Sequence, residues 1–307
     1  MVRRDPARPI ITPEQIPPSR PDVEVIGAFN PGAVRVGSEI VLLIRVAERP
    51  LCPDPEWVAF PAVRPGARGV EVLRVRRDNP DLNLADPRFV FYRGQMYLTS
   101  ISHLRVARSS DGVHFQVDPE PTLLPEGPYE WYGLEDPRIT PLEGRYVIAY
   151  TSVSHLGVTV SLVETEDFRR FERLGVIFPP SNKDVALFPE RVGGRYVALH
   201  RPSDLTLGQP EMWLAFSPDL RHWGRPARPL GWGAVGSERG TFPYPGRVAF
   251  HLPRERRHPL RAGRPAPRWG GTLRGPGPLG RAHPPARSSL RNRGLLPQHR
   301  LHVRNGA

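Results

Sequence analysis

Asp136-Pro137-Arg138-Ile139-Thr140-Pro141-Leu142-Glu143-Gly144-Arg145-Tyr146-Val147-Ile148-Ala149-Tyr150 reads as a strand, a tight turn and a second strand. Glu143-Gly144 supplies the turn, because glycine takes positive φ without steric cost, and β-branched and aromatic residues flank it on both sides. The pattern recurs: Arg93-Gly94-Gln95-Met96-Tyr97 precedes it and Gly193-Gly194-Arg195-Tyr196 follows it, so Gly94, Gly144 and Gly194 stand 50 residues apart. Asp86-Pro87-Arg88 precedes the first of these turns as Asp136-Pro137-Arg138 precedes the second. Each unit then continues to an apolar run and a polar turn ending in an aromatic: Ser110-Asp111-Gly112-Val113-His114-Phe115, Thr165-Glu166-Asp167-Phe168-Arg169-Arg170-Phe171 and Ser217-Pro218-Asp219-Leu220-Arg221-His222-Trp223. A period near 50 with about four strands per unit is the signature of a β-propeller, an all-β fold. With Gly37-Ser38 as the turn of an earlier unit, four blades are expected by Trp223 and a fifth from later residues. The two Asp-Pro-Arg triplets would then occupy equivalent positions on successive blades.

Upstream of the repeats, residues 1–28 carry six prolines and read as an extended arm. Strand character begins at Ala33 and continues through Ile40 to Val46, whereas residues 50–69 read as loop and 70–75 as a short strand. Downstream, the composition changes near residue 241. Residues 241–307 hold 14 arginines and one acid, Glu255, and 34 of these 67 residues are Arg, Pro or Gly. Residues 1–240 carry 29 basic and 30 acidic residues, so the net charge of +12 belongs to the tail. The expected organisation is a propeller over 1–240 (four blades and the arm) followed by an aberrant basic tail over 241–307. Two readings of the tail stand: a fifth blade translated out of frame, which is favoured, or an arginine-rich arm that binds nucleic acid. The tail lacks interleaved aromatics and any recognisable module, so no nucleic-acid partner is expected.

Cys52 is the single cysteine, which excludes an internal disulfide and fits a reducing, cytoplasmic setting. No charged start followed by an apolar run marks a secretion signal, and no segment has the roughly 18 apolar residues of a membrane helix. Membrane association is therefore not expected, and no metal or organic cofactor is. Lys183 is the only lysine, against 42 arginines. Where arginine has replaced lysine so widely, a retained ammonium marks either chance or a need for a compact, strongly hydrated charge.

Chemistry concentrates at Trp131-Tyr132-Gly133-Leu134-Glu135-Asp136-Pro137-Arg138, where two carboxylates and an arginine follow two aromatics. Cleaving a glycosidic bond needs a carboxyl group against the sugar and aromatic faces to stack on it. The same residues could simply make a polar turn before a strand.

Six segments in order, over about residues 10 to 240, resemble glycoside hydrolase family 130, whose phosphorylases and hydrolases act on β-mannosides and adopt a five-bladed β-propeller. These are Phe29-Asn30-Pro31-Gly32-Ala33, Leu42-Leu43-Ile44-Arg45-Val46, Ser102-His103-Leu104 with Val106-Ala107-Arg108-Ser109, Gly133-Leu134-Glu135-Asp136-Pro137-Arg138-Ile139-Thr140, Asn182-Lys183-Asp184 with Leu187-Phe188-Pro189-Glu190, and Leu199-His200-Arg201-Pro202. Beyond residue 241 the resemblance stops, and the family's last blade with its Tyr, His and Asp site positions is not found.

The resemblance implies Asp136 as general acid. It implies a phosphate pocket of Lys183, His200 and Arg201, to which Arg239 is a candidate addition. Asn30 and Arg45 resemble sugar-binding positions, and Glu135, Arg138 and Asp184 join the expected substrate site. The implied reaction is an inverting phosphorolysis of a mannosyl-oligosaccharide to α-mannose 1-phosphate and a shortened sugar. One carboxyl protonates the leaving oxygen, in the family through a sugar hydroxyl, while phosphate attacks from the other face. Phosphate is already anionic, so cations hold it and no basic carboxylate is required. The expected partners are the oligosaccharide and phosphate, the latter as co-substrate; a homo-oligomer is compatible with the sequence. The alternatives are a β-mannosidase of the same family, kept open by Glu135 and Glu190, and a non-catalytic propeller binding module.

Overall fold

A computed structural model of the chain describes residues 9–64, 69–203 and 212–230. The fold is that of a β-propeller, and the only helical turns among these residues are two 3-10 turns, Pro13–Gln15 and Pro128–Glu130. In chain order the strands are β1 (Val23–Val36), β2 (Glu39–Pro50), β3 (Trp57–Ala62), β4 (Glu71–Arg76), β5 (Leu82–Asn83), β6 (Phe89–Tyr92), β7 (Gln95–Leu98), β8 (Ile101–Ser109) and β9 (Gln116–Val117). They continue with β10 (Leu134–Leu142), β11 (Arg145–Ser154), β12 (Gly157–Thr165), β13 (Glu172–Phe178), β14 (Asn182–Leu187), β15 (Tyr196–Pro202), β16 (Met212–Ser217) and β17 (Gly224–Leu230).

Three antiparallel four-stranded sheets form the blades: β1-β2-β8-β9, β10-β11-β12-β13 and β14-β15-β16-β17. The second and third are simple meanders. In the first, β2 pairs with β8 from Ile40 opposite Ser109 to Glu48 opposite Ile101, so the chain leaves the blade after its second strand and returns for the third. The excursion holds the β3-β4 hairpin and the three-stranded sheet β5-β6-β7.

This corrects the expected blade count. The described residues contain three blades, not four, because the unit around Gly94 is an insertion within the first blade. Gly94, Gly144 and Gly194 do share turn chemistry: each follows a residue of positive φ (Arg93, Glu143, Gly193), the type I′ pattern. The equivalence of the two Asp-Pro-Arg triplets fails, however. Asp86 lies in a turn before β6, where its Oδ1 accepts from the Arg88 backbone N–H at 2.9 Å, whereas Asp136 lies inside β10. Two boundaries also move. Strand β1 begins at Val23, ten residues before Ala33, and the stretch read as loop over 50–69 contains β3. The tail over 241–307, and with it the expected domain boundary, lies outside the described residues.

The blades pack face to face, and β11 shows why. Successive side chains of a strand point to opposite faces. Ile148 and Tyr150 pack with Val41, Leu43, Leu104 and Val106 of the first blade. Val147 and Ala149 pack with Val185, Leu187, Tyr196 and Ala198 of the third. Each wholly buried aliphatic side chain stabilises the fold by about 1.5–3 kcal/mol, which ties each seam to apolar residues on both faces of the middle blade. The polar turns between third and fourth strands are built alike. Ser109, Thr165 and Ser217 hydroxyls each pair with the aspartate two residues on, at 2.9–3.5 Å. Asp111, Asp167 and Asp219 Oδ1 in turn accept the backbone N–H three residues further on.

Candidate active site

Each blade's first strand is broken at the same place. Pairing slips between Phe29 and Gly32 on β1, between Glu135 and Arg138 on β10, and between Lys183 and Ala186 on β14. At each slip two residues oppose one, which is a β-bulge, a device that re-aims a side chain. The first unpaired residue has left-handed backbone in every case: Asn30 (φ 48°), Asp136 (φ 50°) and Asp184 (φ 59°). Asn and Asp enter this region more readily than other L-residues, though still at about 1–2 kcal/mol. Asn30-Pro31, Asp136-Pro137 and Asp184-Val185 are thus the true structural counterparts. A proline is tolerated at the second bulge position because no ladder donor is needed there.

The second strands complete the pattern. Arg45 pairs with Phe29, Thr151 with Glu135 and Arg201 with Lys183. One residue earlier come Ile44, Tyr150 and His200, all buried and on the opposite strand face.

These repeats bring four of the sequence-predicted residues into one cluster. Asp136 Oδ1 accepts from Asn30 Nδ2 and from Arg45 Nη1, both at 3.0 Å. Arg45 Nη2 donates to Glu135 Oε1 at 2.5 Å, and its Nε donates to Ser102 Oγ at 3.0 Å. The guanidinium lies 4.7 Å from the centre of the Phe29 ring. Arg45 is therefore fixed on every side, and through it the carboxylates of the neighbouring blade. Asp136 Oδ2 has no hydrogen-bond donor among the described residues. Burial pushes the Glu135 carboxyl above its ordinary range against the pull of Arg45; the charge of Asp136 adds to the rise and that of Lys183 opposes it. Lys183 is thereby placed within electrostatic reach of Glu135, and it forms no ion pair with a described residue.

A second cluster lies on the third blade's bulge. Arg201 pairs with Asp184 Oδ2, and Arg138 Nη2 reaches Asp184 Oδ1 at 3.5 Å from the adjacent blade. His200 does not join it. Its ring stacks on Phe178 at 4.3 Å, its Nδ1 meets Asn182 Nδ2 at 2.9 Å, and burial lowers its pKa. Strand alternation puts Arg201 and His200 on opposite faces, and the His200 ring lies among the blade's buried residues with Nε2 unpartnered among the described residues. Arg239 lies outside the described residues.

Sequence reading missed the parts that hold the site in place. Ser102 anchors Arg45. Gly32 lies where a Cβ would come within 2.8 Å of Pro137 O, so the first two bulges approach each other too closely for a side chain. Buried Glu130 accepts from Tyr150 Oη at 2.7 Å and from Arg173 Nη1 at 2.6 Å, and it caps the Glu126 backbone N–H. Arg173 also donates to Leu124 O at 2.7 Å, tying the loop that precedes Trp131 to the second blade. None of these carries a spacing signal: Ser102 meets Arg45 across paired strands of one blade, Gly32 faces the next blade, and Glu130 and Arg173 join a loop to the second blade.

The sequence profile of glycoside hydrolase family 130, described as beta-1,4-mannooligosaccharide phosphorylase, matches residues 75–243. The chain belongs to glycoside hydrolase family 130. Within the family it is 43% identical, over 220 residues, to a beta-1,2-mannobiose phosphorylase of Listeria innocua, covering 70% of this chain and 62% of that protein. It is 38% identical over 126 residues to a 1,2-beta-oligomannan phosphorylase of a Thermoanaerobacter species, 40% of each chain. The solved structure of the Listeria innocua beta-1,2-mannobiose phosphorylase with beta-1,2-mannobiose superposes with a TM-score of 0.66 at 42% identity, over 74% of this chain and 66% of that one. The chain thus spans 62% of the length of the Listeria innocua relative and 40% of the Thermoanaerobacter one. Family 130 propellers have five blades, and the described residues supply three.

Proposed function

We propose that this chain carries the catalytic acid and the phosphate-side cations of an inverting β-mannoside phosphorylase acting on β-1,2-linked mannosides. The observation that carries this reading is Asp136, set at a left-handed bulge with Oδ1 fixed by Asn30 and Arg45 and Oδ2 left without a donor among the described residues. A carboxyl group so held can pass a proton to the leaving oxygen, directly or through a sugar hydroxyl, while its partners keep it in place. Lys183 and Arg201, on the next blade's bulge, supply the cations that an attacking phosphate requires. Arg138 and Asp184 orient Arg201. The names of the relatives support the mannoside, the phosphate and the β-1,2 linkage. The expected setting is the cytoplasm, with oligosaccharide and phosphate as the partners and phosphate as the only co-substrate.

The test is product analysis. Incubating the full chain with β-1,2-mannobiose and inorganic phosphate should release mannose 1-phosphate and mannose in equal amounts, with no turnover when phosphate is omitted. Release of mannose alone at a rate independent of phosphate would instead establish the β-mannosidase reading, with Glu135 activating water.

A further inference from the structure

The insertion between β2 and β8 has no part in the site described so far, yet it walls a cavity of about 460 Å³ against the segment that leads into Asp136. Tyr92, Tyr97 and Met96 line it from the insertion, and Trp131 and Tyr132 line it from the other side. We propose that this cavity is a sugar subsite that holds a distal residue of a longer β-mannan chain.

Three observations converge. Aromatic faces with a few directed polar groups are how pockets take the apolar face of a ring while reading its hydroxyls, and this cavity has four aromatics beside Arg93 and Gln95. The cavity's charges are also matched: Arg64 pairs with Glu71 within the lining at 2.7 Å, and Arg93 reaches Asp81, outside it, at 3.8 Å. A neutral polyol fits such a lining better than a second anion. Finally, Trp131 Nε1 is buried with no acceptor among the described residues, although Trp N–H groups are normally paired when buried. The N–H is out of solvent reach, so a sugar hydroxyl supplies that acceptor when the indole turns its edge toward the cavity.

The position suits a leaving-group sugar, and the inference here rests on the phosphorylase reading. Phosphorolysis releases one mannosyl unit, so every other sugar of the chain belongs to the leaving group. Trp131 precedes Asp136 by five residues, which limits their separation to about 17 Å. Gly133, between them, bridges to Ser102, the residue that anchors Arg45. The segment that lines the cavity therefore runs directly into the strand that carries the acid.

The test compares kcat/KM for β-1,2-mannotriose and β-1,2-mannobiose in the full chain, in Trp131→Phe and in Arg93→Ala. The wild type should favour the trisaccharide, and each variant should reduce the trisaccharide-to-disaccharide ratio by about fivefold, the order expected for one lost hydrogen bond. A ratio unmoved in both variants would overturn the subsite while leaving the phosphorylase intact. Calorimetric titration with mannotriose in the absence of phosphate separates the two readings. If no mannose 1-phosphate forms from either sugar, saturable binding that weakens in both variants still supports the subsite, and the absence of saturable binding overturns it.

Discussion

Asp136 and Asp184 occupy the same position on adjacent blades, with nearly the same left-handed backbone, and they are used differently. Asp184 is held between two guanidinium groups, Arg201 of its own blade and Arg138 of the one before, so that its charge is spent on positioning cations. Asp136 is held by one guanidinium and one amide, both on the preceding blade and both on the same oxygen. Among the described residues, one bulge thus presents a carboxyl with an oxygen to spare, and the next presents an ion pair. What differs is the identity of the residues one strand away, not the backbone. A propeller can repeat one device around its axis and vary the chemistry by single side chains.

The largest effect should come from removing the acid. Asp136→Asn keeps both hydrogen bonds available and should lower kcat by about 10²–10⁴-fold, the usual share of general acid catalysis. Asp184→Asn should instead raise KM for phosphate, with kcat changed by less than about threefold, the pattern of lost ground-state binding. Steady-state kinetics with phosphate as the varied substrate tell the two apart, and equal kcat losses would remove the distinction. Next in size, Arg45→Ala leaves two carboxylates without their shared partner. It should cost about 2–3 kcal/mol, as for hydrogen bonds to charged groups. Arg201→Ala should cost less, because Asp184 keeps Arg138. Denaturant melts of both variants check the order.

A smaller effect should follow pH. Burial holds the Glu135 carboxyl protonated to higher pH than in the unfolded chain, where 4.5 is ordinary. Its contribution to stability is therefore fully present below about 4.5 and is lost as pH rises through the folded-state value. Glu135→Gln removes that loss, so the variant should gain on the wild type at pH 7 and match it at pH 4 in paired urea melts. A gain confined to pH 4 would reverse the sign. The smallest effect should be Asp86→Asn, which alters the other Asp-Pro-Arg triplet. Its exposed pair with Arg88 should change neither turnover nor melting temperature measurably.

The contrast between the triplets also shows what a sequence can reveal. The turn glycines and the Ser/Thr–Asp turns were legible because their chemistry is local: positive φ and hydrogen bonds two or three residues away. Glu135 and Asp136 were legible as adjacent carboxylates behind two aromatics, but Asn30 and Arg45, which the structure draws to them, were legible only through the ordered family segments, since 106 residues separate Asn30 from its partner. The false equivalence arose because the insertion happens to be about one blade long and carries its own type I′ turn. A period near 50 therefore survived across a stretch that is not a blade. The real counterpart of Asp136-Pro137 was Asn30-Pro31, hidden by that same insertion. His200 lies on the strand face opposite Arg201, which the shared motif does not reveal. Neighbouring residues on a strand face opposite ways, and a motif that runs through both does not say which of them faces the site.

The detour between β2 and β8 has a consequence in time. Strand β2 carries Val41, Leu43, Ile44 and Val46 and cannot gain its third-strand partner until residues 51–100 have been synthesised. At 5–20 residues per second the wait is about 3–10 s. For that interval the nascent first blade is a two-stranded hairpin with one apolar edge open, already bearing Asn30 and Arg45. The acid they will hold is made later still, so each chain must keep half of its site unsupported on the ribosome before there is anything for it to grip.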